Sequence, residues 1–128
     1  MKQSVSHYVM PDEKEEATAE LVHRLGLDGI ENLIYGDEPS SNLFTSLTVG
    51  AHLRFWPRWM DFYLGNTKRY KKQFPDEKAL TAYYGASDTD GWLEEIRKNI
   101  RAALAENPEY LVWHVADCTL EEAWTRQF

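Results

Sequence analysis

The chain has 128 residues and a formal net charge of −7, with 43% hydrophobic and 27% charged residues. That length suits one domain able to bury roughly two thirds of its unfolded surface, and the composition reads as soluble and globular rather than disordered. The acidic balance argues against a nucleic-acid groove, which needs a concentrated positive surface, and no stretch approaches the roughly 20 apolar residues of a membrane span.

The amino terminus leads into no apolar run of signal-peptide length. A single cysteine, Cys118, cannot form an internal disulfide and is compatible with a reducing compartment. The expectation is a cytoplasmic soluble protein of one domain spanning residues 1–128.

Val5 to Met10 reads as a first strand, stopped by Pro11, which cannot donate to a ladder. Asp12 is a candidate helix cap, followed by Glu13, Glu15 and Glu16, where the helix dipole favours acids. Ala17, Leu21, Val22 and Leu25 then share a face at helical spacing, and Gly26 ends the helix. Ile30 to Tyr35 is a second strand, closed by Gly36-Asp37. A polar loop through Pro39 to Asn42 follows, with room for one turn over Ser41 to Phe44. Leu43 to Leu53 contains a third strand, too apolar for a one-sided sheet.

Aromatic residues make up 13% of the chain and cluster over Phe55 to Tyr63. They are either core packing or a wall over a ligand pocket. Pro57 can open a short helix ending at Gly65-Asn66, and Pro75-Asp76 another, with Ala79, Leu80, Tyr83 and Tyr84 inward and Gly85 at its end. Lys68, Arg69, Lys71 and Lys72 form a local basic patch or a solvated loop face. Asp88 or Asp90 caps the longest helix, whose buried stripe is read as Leu93, Ile96, Ile100, Ala103 and Leu104, up to Asn107-Pro108. Tyr110 to Val115 is a fourth strand, and Thr119 can cap a last turn reaching Trp124. Strands alternating with helices imply an α/β class with a mainly parallel sheet.

Ligands of parallel α/β sheets gather beyond the carboxyl ends of the strands. His7, His52 and His114 sit on the first, third and fourth strands and are candidate metal ligands, or structural histidines. His23 lies among charged helix neighbours and is read as solvated. A sugar-handling metal site also wants carboxylates, and Glu31 and Asp117 are the candidates. Glu31 is otherwise a structural salt bridge, for instance to Arg54, and Asp117 a cap for the last turn. Asp37 and Glu38 are turn residues or members of the same face. Arg54 and Arg58 can hold a phosphate or pair with an acid such as Asp61. Cys118 carries no mark of a nucleophile, and no phosphate loop, serine elbow or paired-cysteine motif is present.

Leu27-Asp28-Gly29-Ile30-Glu31 resembles the G-x-D-G-I-E entry to the second strand of sugar-phosphate isomerase/epimerase-like barrels. This xylose-isomerase-like superfamily also contains the endonuclease IV type of apurinic endonuclease. Val49-Gly50-Ala51-His52-Leu53-Arg54-Phe55-Trp56 is similar to its third-strand segment, and Tyr110-Leu111-Val112-Trp113-His114-Val115 to its fourth. The resemblance implies the amino-terminal half of a (β/α)8 barrel, with four mainly parallel strands and helices on the outer face. It implies His52 and His114 as metal ligands (zinc, manganese or magnesium) and matches Glu31 to the second-strand glutamate; Glu31 and, from its position past the fourth strand, Asp117 are the candidate catalytic carboxylates. His7, Arg54 and Trp56 are then expected on the substrate side, with a sugar or sugar phosphate as ligand.

A whole barrel takes about 250 residues. The expectation is therefore a chain that self-associates or pairs with a complementary half-barrel, and that has little isomerase activity alone. The competing expectation is a non-enzymatic binding module, or a homodimeric interaction protein, on the same scaffold.

Overall fold

The computed structural model describes residues 1–65 and 74–114. Lys68, Arg69, Lys71, Lys72, Asp117, Cys118, Thr119 and Trp124 lie outside the described residues. The chain divides into two compact units. The first comprises Met1–Arg54 with Ile96–Trp113, and the second Phe55–Glu95 with, among the described residues, His114.

The first unit is built on a sheet of β1 (Ser4–His7), β2 (Gly29–Ile34), β3 (Thr48–Leu53) and β4 (Tyr110–Val112). Its order is β1-β2-β3-β4, and all three pairings are parallel. This is the α/β class expected: a four-stranded parallel sheet flanked by helices. Residues paired across parallel strands project to the same face, and neighbours along a strand to opposite faces. The registers Ser6↔Glu31, Glu31↔Gly50, Leu33↔His52, Gly50↔Tyr110 and His52↔Val112 define one face. His7↔Asn32, Asn32↔Ala51 and Ile34↔Leu53 define the other.

The second of these faces is the apolar one. Near β1, Val9, Val22, Ile30 and Phe44 form a buried cluster with Leu27 and Leu47 against it. Further along, Ala51, Leu53 and Ala103 pack with Ile34 and Ile100. Removing such surface from water is the main favourable term for the unit.

Helix α1 (Glu15–Arg24) covers this face in a rotation the periodicity does not predict. Thr18 and Val22 are its buried residues, whereas Leu21 is 44% and Leu25 57% exposed. The expected Asp12 cap is also replaced: the N-cap is Lys14, without a side-chain hydrogen bond. Glu13 organises the turn instead. Its carboxylate accepts from the Met10 N–H at 3.0 Å, from the Thr18 hydroxyl, and pairs with His7 Nε2 at 2.6 Å. Of the expected 17/21/22/25 stripe Val22 is buried, and Thr18, tied to Glu13, faces the sheet in place of Leu21 and Leu25. Gly26 ends the helix with φ +67°, as expected of a left-handed carboxyl-terminal residue.

Strand β1 is shorter than Val5 to Met10, because the Met10 backbone is used by this turn. Strand β3 begins only at Thr48. Phe44, buried and apolar, carries a tight turn in which its carbonyl accepts from the Leu47 and Thr48 N–H groups at 3.0 and 2.8 Å. The turn lies over 45–47 rather than Ser41 to Phe44. Strand β4 ends at Val112, so His114 lies beyond it.

The second unit contains α2 (Trp59–Tyr63), α3 (Glu77–Tyr84) and the first part of α4 (Thr89–Leu104), whose residues from Ile96 belong to the first unit. Here the aromatic run is packing. Trp56, Phe62, Tyr84 and Trp92 are buried. Phe62 stacks on Tyr84 at 4.2 Å, Trp59 on Trp92 at 5.5 Å, and Trp56 meets Trp92 edge-on at 6.2 Å. Offset and edge-to-face pairs of this kind suit the ring quadrupoles. The Tyr84 hydroxyl donates to the Pro57 carbonyl at 2.8 Å. Local signals are obeyed in α3: the Asp76 carboxylate accepts from the Ala79 N–H, and Gly85 ends the helix with φ +76°.

Helix α4 corrects the expected stripe. Leu104 is exposed, and the buried positions are Trp92, Asn99, Ala102 and Ala103, continued after the helix by Glu106. Ala103 is buried as expected, and two polar side chains outside the expected stripe, Asn99 and Glu106, are buried with it. Asn99 donates through Nδ2 to the Ile34 and Gly36 carbonyls at 3.0 and 2.7 Å, and its Oδ1 accepts from the Arg54 N–H at 2.9 Å. One amide thus satisfies three backbone groups where β2 and β3 end.

Candidate functional site

On the face of the sheet opposite the apolar clusters, the register brings Glu31 and His52 together. His52 Nδ1 lies 3.0 Å from Glu31 Oε1, with side-chain exposures of 24% and 18%. The Ser6 hydroxyl donates to Oε1 at 3.4 Å, and the Tyr110 hydroxyl to Oε2 at 3.2 Å. Ser4 Oγ in turn lies 3.1 Å from the Tyr110 hydroxyl. Each of the four strands contributes: Ser4 and Ser6 from β1, Glu31 from β2, His52 from β3 and Tyr110 from β4.

Local sequence explains the geometry. Glu31 and His52 are a diagonal pair across β2 and β3, within reach of long side chains. Tyr110 reaches Glu31 because Gly50 stands between them in the register. A Cβ on Gly50 would lie 2.3 Å from the Tyr110 ring, so the ring occupies the space a side chain would take. The half-buried carboxylate accepts several hydrogen bonds, which offsets the cost of removing it from water.

Chemically, this arrangement fixes an imidazole. With Nδ1–H donating to Glu31, the lone pair is on Nε2, the nitrogen that takes a proton or a cation. Among the described residues, no three His, Cys, Asp or Glu side chains gather closely enough to hold a metal ion. Glu31 and His52 supply two donors, short of the three or four protein ligands of a zinc site.

His7 is on the helix-covered face, across the sheet from His52, and is bound to Glu13. Burial pushes the Glu13 carboxyl up, but the hydrogen bonds from Thr18, the Met10 N–H and His7, with the His7 charge, outweigh it. The group is held below its ordinary value. Arg54 offers its backbone N–H to Asn99, as described above. In the second unit, Trp56 is buried against Trp92, and the His114 ring packs on Phe55 at 5.0 Å. Arg58 Nη1 lies 3.8 Å from the buried Asp61, the ion pair considered from sequence. Asp117 is outside the described residues.

Sequence reasoning missed Tyr110, Ser4 and Ser6 as members of the site. The available signal was the pairing of an edge-strand tyrosine with a strand glycine, legible only once the register is known. Comparison with protein-family models, with curated proteins and with solved structures found no match.

Proposed function

We propose that the Glu31–His52 pair is the proton-handling end of a site for a polyhydroxylated, sugar-like substrate, of isomerase or epimerase type, in which a second polypeptide or a second copy supplies the remaining groups. The observation that carries this reading is the carboxylate–imidazole contact at 3.0 Å, half-buried on a parallel sheet face. The resemblance of 27–31, 49–56 and 110–115 to sugar-phosphate isomerase/epimerase barrels supports it.

In this reading Glu31 orients the ring through Nδ1. His52 Nε2 takes a proton from a carbon beside a carbonyl and returns it to the neighbouring position or the opposite face. Tyr110 and Ser6 keep the carboxylate in place, and Ser4 holds the Tyr110 hydroxyl. A carboxylate behind an imidazole also suits a metal ligand. With two donors among the described residues, no step here passes through a metal.

The test is solvent-proton exchange. The full chain is incubated in deuterium oxide with a panel of aldose and ketose phosphates, and loss of the carbon-bound proton is followed by NMR. The expected result is slow wash-in of deuterium, lost in Glu31→Gln and His52→Ala. Exchange no faster than in buffer, across the panel and at high protein concentration, overturns the reading.

A second reading rests on a different observation. Val5 on β1 and Leu111 on β4, the two edge strands of the described sheet, are both exposed. Unpaired parallel edges with apolar side chains invite another chain. In this reading the protein is an interaction module that self-associates through those edges. Sedimentation equilibrium showing a monomer at micromolar concentration would remove it.

A further inference from the structure

Across the sheet from Glu31, a cavity of about 190 Å³ opens between β2, the 35–42 loop and the end of α4. Asn32, next to Glu31 in sequence, faces it from the opposite side of the strand. Its wall includes Tyr8, Asn32, Tyr35, Glu38, Ser40 and Glu106. A single water needs only roughly 10–15 Å³ of such space.

Glu106 is the unusual member. The residue is 1% exposed. Both of its hydrogen bonds go to one oxygen: Oε2 accepts from the Phe44 N–H at 2.9 Å and from the Thr48 hydroxyl at 3.3 Å. Oε1 is buried and meets no hydrogen-bond partner among the described residues. Such a carboxyl oxygen is costly to leave unmatched, and a buried one calls for a partner.

The rest of the wall says what the partner is. A second acid, Glu38, lines the cavity, and none of its described lining residues is basic. The exposed rings of Tyr8 and Tyr35 lie 5.6 Å apart at 43° and present aromatic surface beside the acids. Acids with aromatic faces and no cation of their own favour a cation that also donates a hydrogen bond. Asn32 and Ser40 add oxygen acceptors.

We propose that this cavity binds the ammonium group of a small primary amine, with Glu106 as its carboxylate partner and the Tyr8–Tyr35 pair as its aromatic wall. The ligand's N–H supplies the donor that Oε1 lacks, and its positive charge opposes the acids. Burial, with a smaller contribution from the Glu15 charge, pushes the Glu106 carboxyl above its ordinary value against the pull of its two hydrogen bonds. An ammonium ion in contact restores the charged form. This site is separate from the Glu31–His52 pair and does not depend on its function.

The experiment titrates n-propylammonium chloride into the full chain, following backbone amide shifts at Asn32, Tyr35, Gly36 and Glu106 by NMR. Sodium chloride at equal ionic strength and 1-propanol are the controls. The expected result is a saturable shift with propylammonium alone. Glu106→Gln, which keeps an oxygen for Phe44 and Thr48, is expected to weaken binding by about tenfold or more, and Tyr35→Leu by about threefold. Should Glu106→Gln fail to fold, Glu38→Gln combined with Tyr35→Leu changes only exposed positions and must still weaken binding. No saturable shift, meaning a cavity filled with water only, overturns the proposal. So does an equal response to 1-propanol, or binding unchanged in the variants that fold.

Discussion

The two faces of one sheet treat their polar groups in opposite ways. On the Glu31 face, Glu31 and His52 stay half-buried, and Glu31 also accepts from Ser6 and Tyr110. On the helix-covered face, Asn99 and Glu106 are buried among apolar neighbours, and only Asn99 has every described bond completed. Polar groups near water can be arranged for chemistry at modest cost, whereas those in the core must be matched or must await a partner. The contrast separates a structural amide, a candidate proton-transfer pair and a candidate ligand-binding carboxyl within one unit.

The largest expected effect breaks the core side of this contrast. Asn99→Leu strands two carbonyls and one N–H where β2 and β3 end, and is expected to destabilise the chain by roughly 2–4 kcal/mol. Urea denaturation measures this, and a loss under about 1 kcal/mol would show that water replaces the amide. Next is the rotation of α1. Val22→Ala is expected to cost about 2 kcal/mol, and Leu21→Ala or Leu25→Ala no more than about 0.5 kcal/mol. Equal losses at Val22 and Leu21 would restore the 17/21/22/25 stripe.

The third prediction concerns pH, where the two glutamates beneath the sheet act in opposite directions. The folded-state pKa of Glu13 is lowered, so its stabilisation is present above the ordinary glutamate range and is lost as pH falls through the folded value. For Glu106 it is raised, so the protonated form is favoured by folding. That contribution is intact below the ordinary range and disappears as pH rises through the folded value. Thermal unfolding across pH 3 to 8 should therefore lose acid sensitivity in Glu13→Gln. In Glu106→Gln it should lose the decline that begins at the upper end of the carboxylate range. Parallel wild-type and variant curves would contradict both assignments.

The smallest effect sharpens the Glu31 face. Gly50→Ala displaces the far end of a flexible, exposed Tyr110, so the stability change should stay near 1 kcal/mol or below. The Tyr110 hydroxyl, however, should lose Glu31, visible as a shift of the tyrosine ring signals. An unmoved ring would mean that the backbone yields instead.

Much of the local structure was legible because its causes are local. Asp76 and Gly85 bound α3 through a side-chain cap and a positive φ, and Gly26 ends α1 for the same reason. The apolar runs around Ile30 and Val49 announced buried parallel strands. Failures came where a distant contact overrode a periodic pattern. The Glu13 hydrogen bonds turn α1 away from Leu21 and Leu25, and Phe44 delays β3 to Thr48. Similarly, Asn99 and Glu106 are legitimate in a buried stripe only because their partners lie some 45 to 65 residues away.

The candidate site divides in the same way. By itself, the sequence determined the residue types and the strands that carry them, since a strand's alternation and its apolar content are properties of neighbouring residues. Only the tertiary structure decided which side chains meet. A parallel register brings His52 and Tyr110 to Glu31, and the same register sends His7 to the opposite face. A shift of one residue would reverse every such assignment.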